Sequence, residues 1–130
     1  NHEERDFPLH IEKEPEIMSL LLEAGADPNA LNRQRLTPLM LAMKWSLGTL
    51  EQIECLLENG ADPNIQNVEG DAALHLLAEN TDPDADFRRK VTSLLLRHGA
   101  DDYLESAGYT PYEIAERNDN FAVMDALKED

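Results

Sequence analysis

The sequence LLENGADPN at residues 56–64 occurs twice more along the chain in related form. Residues 21–29 read LLEAGADPN, and residues 95–103 read LLRHGADDY. The glycines of the three copies follow one another at intervals of 35 and 39 residues. A similarity that returns with a period in the thirties indicates a stack of structural repeats, each built from one supersecondary unit.

Each copy has the features of a helix end followed by a turn. In residues 56–64, two leucines finish an apolar run, and Gly60 follows after two polar residues. A glycine at this place accepts the left-handed conformation that commonly ends a helix. Pro63 comes three residues later and lacks the N–H that a continuing helix needs. The motif therefore predicts a helix C-terminus and an obligatory turn.

The second half of each unit is found by counting forward from these glycines. Residues 37–39 read Thr-Pro-Leu, and residues 110–112 read Thr-Pro-Tyr. A threonine before a proline favours a helix start, because the hydroxyl accepts a free N–H and the proline occupies a position whose N–H is unpaired anyway. The unit between them has Ala72 in the threonine place, and we expect Asp71 to cap its helix instead.

These segments together resemble the ankyrin repeat. The matching segments are TPLMLAM at 37–43, ALHLLA at 73–78, the GADPN turns, and FPLH at 7–10 in the place of the family's Thr-Pro-Leu-His. The resemblance covers essentially the whole chain and implies an all-α repeat solenoid, in which stacked helix-turn-helix units are joined by β-hairpin-like fingers. We expect a single domain, residues 1–130, with repeats at approximately 1–30, 31–66, 67–104 and 105–130. The last repeat ends in FAVMDALKED, an amphipathic and charged segment typical of a C-terminal cap.

The composition limits the classes of partner. The chain carries 27 acidic and 11 basic residues, and its formal net charge is −16. This charge disfavours nucleic acids and anionic membranes as partners and favours a basic protein surface. The single cysteine, Cys55, excludes an internal disulfide and fits a reducing compartment. We therefore expect a monomeric cytoplasmic or nuclear protein, with a secreted microbial effector as the alternative.

The residues that could carry catalysis or bind a metal form no recognisable site, so we expect no enzyme activity and no cofactor. His10 and His75 occupy the histidine position of the resembled motif, where the imidazole hydrogen-bonds within and between repeats. The acidic loop at 82–86 begins like a calcium loop, but Phe87 replaces its glycine and Ser93 its final glutamate.

The basic cluster at 88–90, Arg-Arg-Lys, has two interpretations. It could bind a phosphate or an acidic partner. We favour a solvated helix face whose charge is neutralised by the acids at 82–86, with Asp86 at the start of that helix.

The resemblance also implies where a partner binds. In ankyrin arrays, the finger tips and the first helix of each repeat line a concave face that binds partner proteins. Carried over position by position, the predicted partner-binding residues are Arg33, Gln34, Leu36, Lys44, Trp45, Val68, Glu69, Asp71, Glu79, Asn80, Tyr109 and Arg117, and the same segments contain Ser106 and Asn118.

Trp45 is the most informative of these residues. Leu39, Ala42 and Met43 take the inward positions of its helix, so its indole is expected on the surface, where an exposed tryptophan is typical of a binding hot spot. In the alternative interpretation, an enlarged loop at 46–49 folds back and buries the indole.

The sequence thus predicts a protein-protein interaction module that binds a basic protein or peptide on its concave face. Three alternatives remain open at this point. The chain could be a structural spacer in a larger protein, a host-directed microbial effector, or the substrate of an asparagine hydroxylase, because Asn29 and Asn64 lie in segments that resemble hydroxylated ankyrin sites.

Overall fold

The structure is a computed structural model that describes residues 20–32, 35–45, 50–80 and 83–128, without the side chains of residues 44 and 45. Residues 20–23 are helical. In the ranges that follow them, the helices are α1 (Pro38–Trp45), α2 (Leu50–Glu58), α3 (Ala73–Ala78), α4 (Ala85–Arg97), α5 (Pro111–Arg117) and α6 (Phe121–Lys128). The described residues contain no sheet, and an antiparallel bridge joins Ser106 to Tyr109. The predicted all-α repeat solenoid is confirmed.

The helices form two layers. Helices α1, α3 and α5 pack side by side and form the inner layer, while α2, α4 and α6 form the outer layer. Within each unit, the two helices also pack against each other, α1 with α2, α3 with α4 and α5 with α6. Both layers are therefore continuous from one unit to the next, as in a stack whose repeats contact their neighbours.

The core lies between the two layers. Helix α2 is amphipathic and turns Gln52, Ile53, Leu56 and Leu57 inward, at the spacing of one helix face. Helix α3 differs, because all six of its residues are buried. It is surrounded by α1, α4 and α5, so it has no side that faces water.

The glycine of the repeated motif ends its helix as predicted. Gly60 has φ of +98°, its N–H donates to the Leu57 carbonyl (3.2 Å), and the Ala61 N–H donates to the Leu56 carbonyl (2.9 Å). This is the Schellman pattern of a left-handed helix cap. A Cβ at Gly60 would meet no atom within 4 Å, so the backbone conformation, and not lack of space, requires glycine there.

Two of the predicted helix starts are confirmed. The Thr37 hydroxyl accepts the Met40 N–H at 3.1 Å. In the last unit, the Thr110 hydroxyl accepts the Glu113 N–H (3.3 Å), and the Glu113 carboxylate accepts the Thr110 N–H (2.9 Å). This reciprocal pair is a capping box, which satisfies two free N–H groups at once.

Two other helix starts differ from the prediction. Asp71 does not cap α3; instead, the His75 Nδ1 accepts the Ala72 N–H at 3.0 Å. Helix α4 begins at Ala85, one residue before Asp86, and is capped by Asp84, whose side chain accepts the Phe87 N–H at 3.1 Å. His75 takes the place that Glu113 has in the last unit, where the third helical residue accepts the N–H of the cap residue, because its ring nitrogen is also a hydrogen-bond acceptor.

Asparagine side chains connect the turns of successive units. The Asn64 Nδ2 donates to the Gly99 carbonyl (3.0 Å), and its Oδ1 accepts the Asp101 N–H (2.7 Å). Asn29 makes the same pair of bonds to the turn that follows it, at 3.0 and 2.6 Å. We call these two residues and their bonds the asparagine ladder.

Two further asparagines connect the C-terminal ends of the inner helices. The Asn80 Nδ2 donates to the Met43 carbonyl at 2.7 Å. The Asn120 Nδ2 lies 3.1 and 3.0 Å from the carbonyls of Leu77 and Ala78. Because the last carbonyls of a helix lack a regular partner within the helix, these contacts give them a donor from the following unit, and the Leu77 carbonyl also accepts the Asn80 N–H.

Candidate functional site

His75 has a structural position in the core. Its side chain is fully buried, its Nδ1 accepts the Ala72 N–H, and its Nε2 lies 2.9 Å from the Leu104 carbonyl. Since Nδ1 accepts, Nε2 carries the proton and donates to that carbonyl. The prediction that this imidazole bonds within its repeat is confirmed, since Ala72 and Leu104 both belong to the predicted unit at 67–104. The predicted bond between repeats stays a prediction, and His10 lies outside the described residues. The part of the chain that the structure describes contains no cluster of three potential metal ligands.

The basic cluster at 88–90 does not converge on one anion. The Arg88 guanidinium donates to the Asn120 side chain. Arg89 pairs with Asp125 (3.5 Å) and Lys90 with Asp86 (3.0 Å). Three bases thus contact three different partners. The expected neutralisation by the acidic loop is seen for Lys90, whose partner lies four residues earlier on the same helix.

A cavity of about 410 Å³ lies on the outer layer, between α2 and α4. Bases and acids are interspersed in its lining, so neither sign of charge dominates. Its lining residues are Leu50, Glu54, Asp86, Arg89, Lys90, Ser93, Leu94 and Arg97.

A larger groove, of about 550 Å³, lies on the side of the inner layer. One wall comes from residues 69–79 and the other from residues 106–118. Its lining is mostly polar and contains three carboxylates. The lining residues are Glu69, Asp71, Glu79, Ser106, Ala107, Tyr109, Ile114, Arg117 and Asn118.

The first wall of the groove is a turn stabilised by Asn67. The Asn67 side-chain oxygen accepts the N–H groups of Glu69 and Asp71, both at 2.9 Å. The Gly70 N–H donates to the Asn67 carbonyl at 2.9 Å. Because three backbone N–H groups are satisfied within five residues, the direction of the acidic side chains is determined locally.

The second wall begins with a two-residue hairpin turn. Ser106 and Tyr109 exchange both of their backbone hydrogen bonds, at 2.8 and 3.0 Å. Between them, Ala107 and Gly108 have φ of +53° and +87°. Positive φ at both central residues is the geometry that matches the twist of paired strands. This is the β-hairpin-like finger that the sequence predicts, reduced to one bridge.

Ser106 joins the two walls. Its hydroxyl donates to the Asp71 carboxylate and lies 3.2 Å from the Glu69 carbonyl. A Cβ on Gly70 would lie 3.4 Å from the Ser106 Oγ, so the two turns approach closely at this point. The groove is therefore a junction between neighbouring turns, and its shape depends on both.

The far end of the groove carries a stacked pair. The Arg117 guanidinium carbon lies 4.5 Å from the centre of the Tyr109 ring, within the range of a cation–π interaction. Tyr109 keeps 40% of its surface exposed. The pair therefore places an aromatic ring and a positive charge opposite the wall at residues 69–79, which carries the three carboxylates and which we call the acidic wall.

Several predicted partner-binding residues are brought together here. Those that line the groove are Glu69, Asp71, Glu79, Tyr109 and Arg117, together with Ser106 and Asn118 from the same predicted segments. Val68, beside this group in sequence, is 74% exposed.

Other predicted residues lie elsewhere. Leu36 is 4% exposed and belongs to the core, contrary to the surface position expected of it. Its N–H donates to the Asn32 side chain and its carbonyl accepts the Asn32 N–H, which closes the turn. Asn80 is also buried, because it bonds the preceding inner helix. Arg33 and Gln34 lie outside the described residues, as do the side chains of Lys44 and Trp45, so the position of the indole stays a prediction.

Two lining residues are absent from the predicted set. Ala107 adopts a left-handed conformation in the hairpin turn, and the Ala-Gly dipeptide between a serine and a tyrosine was the only signal for it. Ile114 is 7% exposed and has the spacing of a core residue, so nothing in the sequence marks its contact with the groove.

Comparison with known proteins gives the family. No helix in the described ranges is both long and apolar enough to cross a membrane. Among curated proteins, no significant match to the chain is found. A family model for ankyrin repeats, described as three copies, matches residues 2–67 and 39–130, which together span nearly the whole sequence. The chain therefore belongs to the ankyrin repeat family.

Proposed function

We propose that this chain is a protein-binding module that holds a basic protein or peptide partner on its inner face. We define the inner face as the lining of the 550 Å³ groove together with the exposed Val68. Ankyrin repeats generally act as protein-protein interaction modules. The observation that carries the proposal is the groove itself, in which polar side chains from two neighbouring units meet, and of these Glu69, Glu79 and Arg117 are exposed.

The charge of the inner face supports a basic partner. Glu69, Asp71 and Glu79 contribute carboxylates, against the single guanidinium of Arg117. The whole chain adds a net charge of −16. Such a field raises the encounter rate with a cationic partner by about 10–1,000-fold at low salt. At physiological salt the screening length is about 8 Å, so most of this gain disappears.

The hydrogen bonds behind the inner face support recognition by a preformed surface. The turn at 67–71 is closed by Asn67, the turn at 106–109 is closed by its own bridge, and Ser106 connects the two. A surface that is already ordered loses less conformational entropy on binding than a flexible one. We expect the backbone of these turns to change little when a partner binds.

The experiment compares binding by paired variants. The protein is immobilised, its partner is isolated from the native host, and association is then measured for Glu69→Lys and for Glu51→Lys. Glu51 is an exposed acid on the outer helix α2, so it matches the charge change without touching the inner face. We expect Glu69→Lys to slow association and to weaken its salt dependence, with a small effect of Glu51→Lys.

An equal effect of both charge reversals would contradict the choice of face. A second variant, Trp45→Ala, examines the predicted hot spot. If the indole is a desolvated anchor, its loss costs about 2 kcal/mol or more, mainly through faster dissociation.

The asparagine hydroxylase alternative is examined by mass spectrometry of the protein from its native host. Asn29 and Asn64 both form the asparagine ladder, so a modifying enzyme would first have to break these bonds. We propose further that the module acts as a monomer inside the cell, where the partly buried Cys55 remains a thiol.

A further inference from the structure

We infer that the groove between residues 69–79 and 106–118 is a subsite for one basic side chain of the partner, with arginine preferred over lysine. This inference rests on the proposed function and adds the chemistry of the group that enters. It follows from the two walls of the groove, which differ in charge and in shape.

The character of the lining excludes an apolar occupant. Of the nine lining residues, Ala107 and Ile114 are the aliphatic ones, and Ile114 is 7% exposed. Sites for small organic ligands are lined predominantly by apolar and aromatic side chains. A polar groove of this size instead suits a charged side chain that arrives with its own polypeptide backbone.

The acidic wall determines the sign of the charge that enters. Glu69 and Glu79 are both exposed and belong to the same wall, while Asp71 between them is 8% exposed and accepts the Ser106 hydroxyl. A cation placed here gains hydrogen bonds to ionised acceptors, which are stronger than bonds between neutral groups. An anion placed here would meet like charge.

The opposite wall of the groove, at residues 106–118, determines the orientation of the incoming peptide. The Arg117 guanidinium is held over the Tyr109 ring at 4.5 Å, so a positive charge is already present at that end of the groove. Repulsion from this charge directs the incoming cation towards Glu69 and Glu79. The Arg117 guanidinium can then donate to carbonyl or carboxylate groups of the same peptide, while the Asn118 Nδ2 beside it donates to the Ile114 carbonyl at 2.7 Å. We expect the basic residue to be followed or preceded by a polar or acidic residue.

Arginine suits this site better than lysine for two reasons. Its planar guanidinium can donate two parallel hydrogen bonds to one carboxylate. The ammonium group of lysine is a compact, strongly hydrated charge, so it loses more hydration for each bond formed.

The test uses peptides selected on the protein itself. A library of random displayed peptides is selected against the wild-type chain, and the tightest binder is synthesised. Each arginine is then replaced in turn by citrulline, which has nearly the same shape without the charge, and by lysine. Affinities are measured for the wild type, for Glu69→Gln with Glu79→Gln, and for a control with Glu51→Gln and Glu58→Gln. The control pair lies on the exposed side of α2 and removes the same number of charges.

We expect the citrulline peptide to bind the wild type about 10-fold or more weakly, the size of a lost hydrogen bond to a charged group. The affinity of the lysine peptide should lie between those of the arginine and citrulline peptides. In the Glu69/Glu79 variant, the difference between arginine and citrulline should largely disappear, whereas the Glu51/Glu58 control should keep it. Circular dichroism of both variants verifies that they fold.

Two results would overturn the inference. Selected peptides could lack basic residues, or citrulline could weaken binding equally in all three proteins, which would mean that the arginine does not contact Glu69 or Glu79. If such a peptide is still weakened by Val68→Ala or Tyr109→Ala, the subsite is wrong while the proposed function stands. If no inner-face substitution affects any selected peptide, the proposed function itself fails.

Discussion

The asparagine ladder and the groove are built from the same kind of element, a turn that contacts the next turn, but they use their polar groups differently. In the ladder, Asn29 and Asn64 stand at equivalent positions and direct both ends of the amide to backbone groups of the following unit. In the groove, the side chains of Glu69 and Tyr109 remain exposed, and the position directly before the threonine place, which Tyr109 occupies in the last unit, holds no tyrosine in the other units. The repeated asparagines connect one unit to the next, and we propose that the exposed residues of the groove serve recognition.

Asp71 and Ser106 lie on the boundary between these two uses. Both line the groove, yet both are buried, and their side chains bond each other across the junction of the turns. The comparison therefore predicts that they affect stability more than binding. The predictions below examine this division, beginning with the change that should damage both regions.

Leu56→Ala should have the largest effect on the stability of the protein. Leu56 is 2% exposed and lies in the core between the two helix layers. Removing its side chain costs about 2–5 kcal/mol through lost transfer free energy and a cavity. Thermal and urea unfolding measure the loss, and Glu54→Ala on the exposed side of the same helix should change stability by less than about 0.5 kcal/mol. An unchanged melting temperature for Leu56→Ala would refute the proposed repeat register.

Ser106→Ala should have the second-largest effect on stability. It leaves the buried Asp71 carboxylate without the hydroxyl that donates to it, and hydrogen bonds to charged groups contribute about 1.5–3 kcal/mol. Urea unfolding gives the loss of stability. Ser93→Ala, a partly buried serine on α4, serves as the control. If Ser106→Ala unfolds like the wild type but binds the partner poorly, Ser106 belongs with the recognition residues.

Asn64→Ala should lower the free energy of unfolding by less, about 1–2 kcal/mol, because the two hydrogen bonds of the Asn64 side chain to the next unit are partly exposed to water. Asn59→Ala is the matched control in the same turn. Its side chain donates at 2.8 Å to the Cys55 carbonyl of its own helix, so this hydrogen bond does not connect two units. Equal losses for the two variants, measured by denaturant unfolding, would mean that the ladder adds nothing specific to stacking.

Glu69→Gln should have the smallest effect on stability, within about 0.5 kcal/mol, since its carboxylate is exposed at the edge of the groove. Its effect should appear instead in the association rate with a basic partner. A stability loss above 1 kcal/mol would show that the acidic wall, like Ser106, is structural.

The features of this molecule that were predictable from sequence are those determined by interactions between residues close together in the chain. The glycine at the end of each LLxxG motif, and the threonines at 37 and 110, act on backbone groups a few residues away, and their geometry follows the prediction. Because the same local signals recur along the chain, the segments that line the groove could also be located, although Ala107 and Ile114 within them were missed.

What the sequence by itself determined is therefore the repeat, its helix ends and the approximate membership of the inner face. The tertiary structure alone decided which of those polar residues remain exposed. Asp71 and Asn80 have partners 35 and 37 residues away, Ser106 and Met43, and Leu36 turns into the core when its turn closes. No local pattern specifies such partners, since they meet only when the units stack, and a buried polar group takes whichever partner the stacking brings within reach.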